Sequence, residues 1–316
     1  MRSGTTGGRG KRTGGPAGRR TVGVAMAAVS GALALTAATV APATAAPDRG
    51  AHHGHGVRYV ALGDSYTSGP AIPTQVDANC ARSDHNYPSL VAAADHVSGF
   101  TDVSCGGATT VQMRQPQGTN GPQLDAVGRD TTVVTLQIGG NDIGFGPIIA
   151  TCAGLTATDP AGSPCERHYT ASGTDELTAT IVEAAPKVGQ VLRALRERAP
   201  RARVVVVGYP DLLPDDGVPC TSAAVPFAAG DFPYLRDTEK KLNAMLRLEA
   251  YLHGDSYVDT YTPTIGHDMC RPPADRWIEP LVPASPAAPA HPNAKGEQAM
   301  AQAVLARVAA RGHAGD

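Results

Sequence analysis

One stretch of the chain decides its fold: residues 59–69, with the sequence YVALGDSYTSG. Residues 59–62 are a short apolar run that predicts a buried strand, and Gly63 ends it. Ser65 follows two residues after the break, in a loop rich in Ser, Thr and Gly. In an α/β fold the carboxyl end of a strand faces the crevice in which ligands bind. Ser65 therefore stands where a nucleophile is needed, although an ordinary turn serine that caps the next helix would also fit this segment.

Outward from this stretch, apolar runs alternate with amphipathic segments. Further strands are predicted at residues 101–104, 132–138, 204–207 and 256–259. Helices are predicted from residue 86 onward and over residues 175–199, 235–252 and 294–310, whereas residues 151–173 are expected to be irregular. No hairpin signal separates two strand-like runs, so the pattern predicts the α/β class, with about five parallel strands and helices on both faces. We expect residues 47–316 to form one domain.

The first 46 residues have the pattern of a secretory signal peptide. Six basic residues and no acidic one precede an apolar stretch that ends in the small-residue motif ATA at residues 43–45. Cleavage is expected after Ala45 or Ala46, which leaves residues 47–56 as a flexible leader. The apolar stretch is also long enough to span a bilayer, so an uncleaved anchor is the alternative. The signal-peptide interpretation predicts a secreted, extracellular protein.

Loss of the signal peptide would make the protein acidic. Its six basic residues leave with it, so that 21 of the 27 remain against 29 acidic residues, a net charge of −8. This charge gives no electrostatic basis for binding nucleic acid or an anionic membrane surface. We therefore expect no nucleic-acid partner and at most transient contact with a lipid interface. We also expect the protein to be a monomer.

All cysteines follow the signal peptide. They are Cys80, Cys105, Cys152, Cys165, Cys220 and Cys270. An even number in an exported chain indicates three disulfides, and six cysteines allow fifteen pairings. We predict the sequential pairs Cys80–Cys105, Cys152–Cys165 and Cys220–Cys270, because each bond would then close one loop between neighbouring elements. The absence of a Cys-x-x-Cys motif argues against a zinc site.

Four residues can carry acyl-transfer chemistry. Ser65, Gly107 and Asn141 each follow a predicted strand, and His291 lies near the end of the chain. Acyl transfer needs a nucleophile, a base that takes its proton, and donors for the developing oxyanion. Ser65 can be the nucleophile and His291 the base. The main-chain N–H groups of Ser65 and Gly107 and the side-chain amide of Asn141 can form the oxyanion hole.

These residues lie in blocks that resemble those of the SGNH hydrolases, also called GDSL lipases and esterases. The blocks are GDS at residues 63–65, Gly107, GGND at residues 139–142 and HPN at residues 291–293, in the family's order. The chain resembles the secreted actinobacterial branch of this family, the Streptomyces-type lipases with three disulfides. The resemblance implies a flavodoxin-like three-layer α/β/α sandwich and the roles given above for the four residues. It also implies a carboxylic-ester substrate, no metal and no cofactor.

One position departs from the family pattern. The family has an aspartate three residues before the histidine, where it orients the imidazole, but this chain has Ala288 there. The base still needs its Nδ1–H held, and the main-chain carbonyl of Pro289 or Ala288 can do this. We therefore predict a Ser-His dyad, with a distant acid, Asp268 or Asp275, as the alternative.

The predicted function is hydrolysis of carboxylic esters, with lipid esters as the expected substrates. A phospholipase and a carbohydrate acetylesterase are the alternatives within the family, because the sequence leaves the acyl chain length and the alcohol open. A secreted carbohydrate- or cell-wall-binding module is the alternative from another class. Such a module would lack the nucleophile, the oxyanion asparagine or the histidine, and none of the three is missing here.

Overall fold

The structure, a computed structural model, describes residues 56–309. The predicted signal peptide and all but the last residue of the predicted leader lie outside these residues. The main sheet consists of β1 (Arg58–Gly63), β2 (Gly99–Asp102), β3 (Val133–Gln137), β4 (Arg203–Val207) and β5 (Ser256–Val258). Neighbouring strands are all parallel, in the order β2-β1-β3-β4-β5. This is the flavodoxin-like order, and it confirms the predicted fold class.

The α-helices of the described residues are α1 (Ser65–Ser68), α2 (Tyr87–Ala94), α3 (Phe145–Leu155), α4 (Pro164–Tyr169), α5 (Glu176–Arg198), α6 (Asp231–Leu252) and α7 (Ala294–Ala309). Short 3-10 turns occur at Gln123–Ala126, Thr156–Thr158 and Thr262–Thr264. The two long helices end within one residue of their predicted C-termini, but α6 begins four residues earlier than expected.

Apolar side chains cover the sheet on both faces. Along β4, Val204 and Val206 belong to one buried cluster, whereas Val205 and Val207 belong to another. The first cluster includes the inner faces of α5 and α6, and the second those of α2 and α7. Because successive side chains of a strand point to opposite faces, an uninterrupted valine run requires a helical layer on each side. The result is the three-layer sandwich.

Residues 151–173, which were expected to be irregular, contain the end of α3 and all of α4. The carboxylate of Asp231 accepts the main-chain N–H groups of Cys165 and Glu166, each at 3.0 Å. It thereby satisfies donors of the first turn of α4 that have no partner within the helix. The prediction was wrong here because this cap comes from a residue far away in the chain.

A two-stranded antiparallel ribbon, Gln75–Asp77 with Arg82–Ser83, was not predicted either. The Arg82 guanidinium donates to the Asp77 carboxylate at 2.9 Å and to the carbonyl of Ser104 at 2.7 Å. The ribbon is therefore fixed by contacts with the loop after β2 rather than by a turn sequence.

The disulfides join Cys80 to Cys105, Cys152 to Cys165 and Cys220 to Cys270, the three sequential pairs. The first bond attaches the ribbon to the loop after β2, and the second joins α3 to α4. The third joins the loop after β4 to the loop that leads toward His291. Within residues 56–309, none of the helices has the length and apolar character needed to span a bilayer.

Candidate active site

The end of β1 places Ser65 at the first position of α1. Asp64 is the N-cap of this helix, and its Oδ1 accepts the N–H of Tyr66 at 2.9 Å. Gly63, which precedes Asp64, is bound by the side chain of Gln123. This side chain accepts the N–H of Gly63 at 2.8 Å and donates to its carbonyl at 2.9 Å. The strand end is thus rigid, and the Ser65 side chain is partly exposed at the edge of the sheet.

The imidazole of His291 lies against this serine. Its Nε2 is 2.7 Å from Ser65 Oγ, and its Nδ1 is 2.7 Å from the carbonyl oxygen of Pro289. A carbonyl can only accept, so Nδ1 carries the hydrogen and Nε2 is free to take a proton from the serine. Burial lowers the pKa of His291, against a smaller opposite effect of the Pro289 hydrogen bond. Burial thus favours the neutral imidazole, and the hydrogen bond to Pro289 holds it in the tautomer that a general base needs.

The two candidate acids lie elsewhere. The Asp268 carboxylate accepts the N–H of Cys270 at 2.8 Å and pairs with Arg271 at 3.2 Å. Asp275 offers its main-chain carbonyl to the ring of His267. Among the described residues, the hydrogen bonds of the His291 ring go to Ser65 and to Pro289, and neither partner is a carboxylate. The Ala288 carbonyl instead accepts the main-chain N–H of His291 at 3.2 Å.

Asn141 follows the end of β3 and reaches the loop after β2. Its Nδ2 donates to the carbonyl of Ala108 at 2.9 Å, which places the amide beside Gly107. Gly107 has a φ of +77°, in the left-handed region that favours glycine, and it is exposed. The carboxylate of Asp142 binds the N–H of Thr110 at 3.0 Å and holds the two loops together. One amide hydrogen of Asn141 remains for a ligand, since the other is used by Ala108.

Sequence reasoning missed Tyr209, which follows β4. Its hydroxyl donates to Asp64 Oδ2 at 2.6 Å and accepts the N–H of Gly140 at 2.8 Å. Burial raises the pKa of Asp64 to about 7, although the hydrogen bonds from Tyr209 and Tyr66 oppose this shift. The available signal was the position of Tyr209 at a fourth strand end, but a tyrosine did not fit any expected catalytic role.

An apolar pocket opens beside Ser65 and Asn141. The space between its lining residues, open solvent included, is about 650 Å³. The side chains around it come mainly from α3, α6 and the loop after β4, among them Ile143, Phe145, Ile148, Leu212, Leu235 and Leu242. Trp277 does not line this pocket, and its indole stacks on the His267 ring with the centroids 3.5 Å apart.

The site combines a serine, a neutral imidazole, amide donors and an apolar pocket, which together are what acyl transfer requires. Within residues 56–309, no group of three or more His, Cys, Asp or Glu side chains is placed to hold a metal ion.

Comparison with known proteins gives concordant matches. The model of the GDSL-like Lipase/Acylhydrolase family matches residues 61–299. Lipase 2 of Streptomyces coelicolor is 42% identical over 296 residues, which cover 91% of this chain and 96% of that protein.

Two crystal structures from the same genus are also similar. The phospholipase A1 from Streptomyces albidoflavus has a TM-score of 0.66 and 27% identity, covering 81% of this chain and 100% of that one. The extracellular lipase from Streptomyces rimosus has a TM-score of 0.60 and 29% identity, covering 80% of this chain and 99% of that one.

Proposed function

The chain belongs to the GDSL-like lipase and acylhydrolase family and is a carboxylic ester hydrolase, and on that premise we propose that it is secreted and cleaves lipid esters through an acyl-enzyme on Ser65. The observation that carries the proposal is the 2.7 Å contact between Ser65 Oγ and His291 Nε2. This distance lies within the range for proton transfer between a nucleophile and its base.

In the proposed mechanism, Ser65 Oγ attacks the ester carbonyl carbon while His291 Nε2 takes the hydroxyl proton. The oxyanion of the tetrahedral intermediate accepts hydrogen bonds from Asn141 Nδ2 and the N–H groups of Ser65 and Gly107. Collapse of the intermediate breaks the bond to the alcohol, which leaves with the proton from the imidazolium. A water molecule then attacks the acyl-enzyme by the same route, with His291 as base, and releases the carboxylic acid and the free serine.

The carbonyl of Pro289 takes the orienting role that an aspartate has elsewhere in the family. It accepts the Nδ1–H of His291 and so fixes the tautomer. A carbonyl has no full negative charge, so it stabilises the imidazolium less than a carboxylate would. The mechanism therefore runs on a Ser-His dyad.

Two substitutions test the mechanism. Ser65→Ala is expected to lower kcat on p-nitrophenyl esters about a thousandfold or more, since removal of the nucleophile abolishes the acyl-enzyme. The matched control is Ser68→Ala in the same helix, which removes a buried hydroxyl without a hydrogen-bond partner. Ser68→Ala should keep wild-type kcat, and both variants should melt near the wild-type temperature. Turnover of Ser65→Ala at the wild-type rate would refute the proposal.

The apolar pocket favours an acyl chain longer than acetyl. We expect kcat/KM for a p-nitrophenyl ester series to rise from acetate to medium-chain esters, because each buried methylene adds about 0.8 kcal/mol of binding. Ile149→Trp would fill part of this pocket and should lower activity on medium-chain esters while sparing acetate. Ile265→Trp, at a half-exposed position outside the pocket, is the control. Acetate as the best substrate would favour the acetylesterase alternative instead.

A phospholipase is the second candidate, because the similar structure from Streptomyces albidoflavus is a phospholipase A1. Release of fatty acid from phosphatidylcholine vesicles, compared with release from a triacylglycerol emulsion, separates the two activities. Ser65→Ala should abolish whichever activity is present.

The N-terminal sequence of the mature protein tests whether it is exported. Protein collected from the culture medium should begin at residue 46 or 47, in agreement with cleavage after Ala45 or Ala46. An intact N-terminus on cell-associated protein would support the membrane anchor.

A further inference from the structure

The ring of Tyr66 packs on the proposed base. Its centroid is 4.8 Å from that of the His291 imidazole, and the two planes are inclined by 32°. The rings of Phe145 and Tyr209 hold Tyr66 by edge contacts at 5.9 and 5.1 Å. Tyr66 is buried, and its main-chain N–H is bound by Asp64. Its aromatic face is therefore a fixed surface against which the imidazole rests.

The hydroxyl of Tyr66 binds the loop that carries the base. It donates to the carbonyl of Ala290 at 2.6 Å. Ala290 has a φ of +58°, a left-handed conformation that costs energy for a residue with a Cβ atom. This residue lies between Pro289, whose carbonyl holds Nδ1, and His291 itself. A strained residue at this position persists only where its surroundings hold it, and the Tyr66 hydroxyl supplies one such bond.

From these contacts we propose that Tyr66 is a positioning residue that sets the orientation of His291, through its ring and through the Ala290 carbonyl. The inference rests on the proposed Ser-His mechanism and extends it. In a dyad without an aspartate, the base has a single orienting hydrogen bond, so the position of the peptide that supplies it matters more. Tyr66 follows Ser65 directly, so one segment presents the nucleophile and holds the base.

Tyr66→Phe is the primary test, because it removes the hydroxyl and keeps the ring. We expect kcat to fall about tenfold or more while KM stays within about twofold, since Tyr66 lines the acyl pocket and Tyr66→Phe keeps its ring there. The rate at which a small organophosphate inactivates Ser65 should fall in parallel, because that reaction needs the base but not the pocket. The matched control is Tyr59→Phe, which removes a buried hydroxyl bonded to Thr135 at 2.8 Å on the other face of the sheet. It should keep wild-type kcat.

A second variant separates positioning from general stability. Ala290→Gly removes the penalty of the left-handed conformation and keeps the carbonyl. In the double variant Tyr66→Phe with Ala290→Gly, the turn depends less on the tyrosine, so part of the lost kcat should return. A role of Tyr66 in core packing alone would show no such rescue.

The outcomes separate the proposed esterase function from the positioning role of Tyr66. A wild-type protein without esterase activity refutes the proposed function. An active wild type with Tyr66→Phe at the wild-type kcat overturns the positioning role alone. If Tyr66→Phe alone does not fold, the double variant is compared with Ala290→Gly alone: a lower kcat in the double variant supports the positioning role, and equal kcat values overturn it.

Discussion

The hydroxyl of Tyr209 donates a hydrogen bond of 2.6 Å to the carboxyl group of Asp64. The same oxygen accepts the N–H of Gly140 at 2.8 Å. Asp64 immediately precedes Ser65, and Gly140 immediately precedes Asn141. One phenol therefore joins the strand end that carries the proposed nucleophile to the strand end that carries a proposed oxyanion donor, and it fixes their separation.

Removal of the Tyr209 hydroxyl should lower both the stability of the protein and its kcat. Tyr209→Phe leaves a buried carboxyl oxygen and a buried N–H without their partner, at a cost of about 1–3 kcal/mol in the free energy of unfolding. Because small displacements of catalytic groups lower rates strongly, we expect kcat to fall at least about tenfold. Urea unfolding and ester kinetics measure the two effects. A normal kcat together with reduced stability would mean that Tyr209 is structural only.

Asp64 should make the protein less stable as the pH rises toward neutrality. Burial raises the pKa of its carboxyl group from 3.8 to about 7 in the folded state. Between these values the folded protein keeps a proton that the unfolded chain has lost, so the stabilisation is complete at low pH and is lost as pH rises to about 7. One proton corresponds to a slope of about 1.4 kcal/mol per pH unit. Asp64→Asn should reduce the measured slope by this amount, while Asp211, whose pKa burial also raises to about 7, keeps its own contribution. Urea unfolding from pH 4 to 8 measures the difference.

Asp175 provides the contrasting variant for the Asp64 experiment. Although burial opposes the shift, hydrogen bonds from Thr178 and Lys241 lower the pKa of Asp175. The ionised Asp175 carboxylate therefore stabilises the fold at pH values above its pKa in the unfolded chain. This stabilisation is lost as the pH falls below that value. Asp175→Asn should leave the slope between pH 4 and 7 unchanged, so an equal effect of both variants would contradict the assignment to Asp64.

The acid limb of the pH–rate profile should report the partly buried imidazole of His291. The folded pKa of His291 lies below the usual value of 6.5, so kcat/KM should begin to fall only below pH 6.5, as the base becomes protonated. Asp268→Asn and Asp275→Asn should leave this limb and kcat in place, since neither side chain is bonded to His291. If either variant lost as much activity as His291→Ala, that aspartate would be the third member of a catalytic triad and the dyad would be refuted.

Gly63 should tolerate no side chain. A Cβ atom there would lie against the hydroxyl of Thr67 and 2.7 Å from the carbonyl oxygen of Gln137. We expect Gly63→Ala to cost about 2–3 kcal/mol through overpacking and to displace Ser65. Gly146 lies in α3 with open space around it, so Gly146→Ala should be neutral or stabilise by about 0.5 kcal/mol. Thermal melts compare the two, and a silent Gly63→Ala would show that the strand end can relax.

Much of the fold follows from local patterns. The runs at residues 59–62 and 132–138 become central strands because a sheet covered on both faces needs strands that are apolar throughout. The prediction failed at residues 151–173 and at the antiparallel ribbon. Each of these depends on a partner outside its own segment, Asp231 for α4 and the loop after β2 for the ribbon.

The candidate site, too, could be predicted only in part from the sequence. The motifs around Ser65, Gly107, Asn141 and His291 identify the residues, and their roles remain predictions. The loss of the family aspartate at Ala288 was visible in the sequence, and so was the need for a carbonyl in its place. Which carbonyl it would be was not, because the choice between Pro289 and Ala288 depends on the left-handed turn at Ala290.

By itself, then, the sequence determined the order of the strands along the chain, the family blocks at their carboxyl ends and the apolar runs of the core, because these are properties of neighbouring residues. Only the tertiary structure decided that Tyr66 packs on His291, that Tyr209 joins two strand ends, and that α3 and α6 line the pocket. The reason is physical. Ser65 and His291 are 226 positions apart, and contacts of that range are set by how whole layers pack, which no local pattern records.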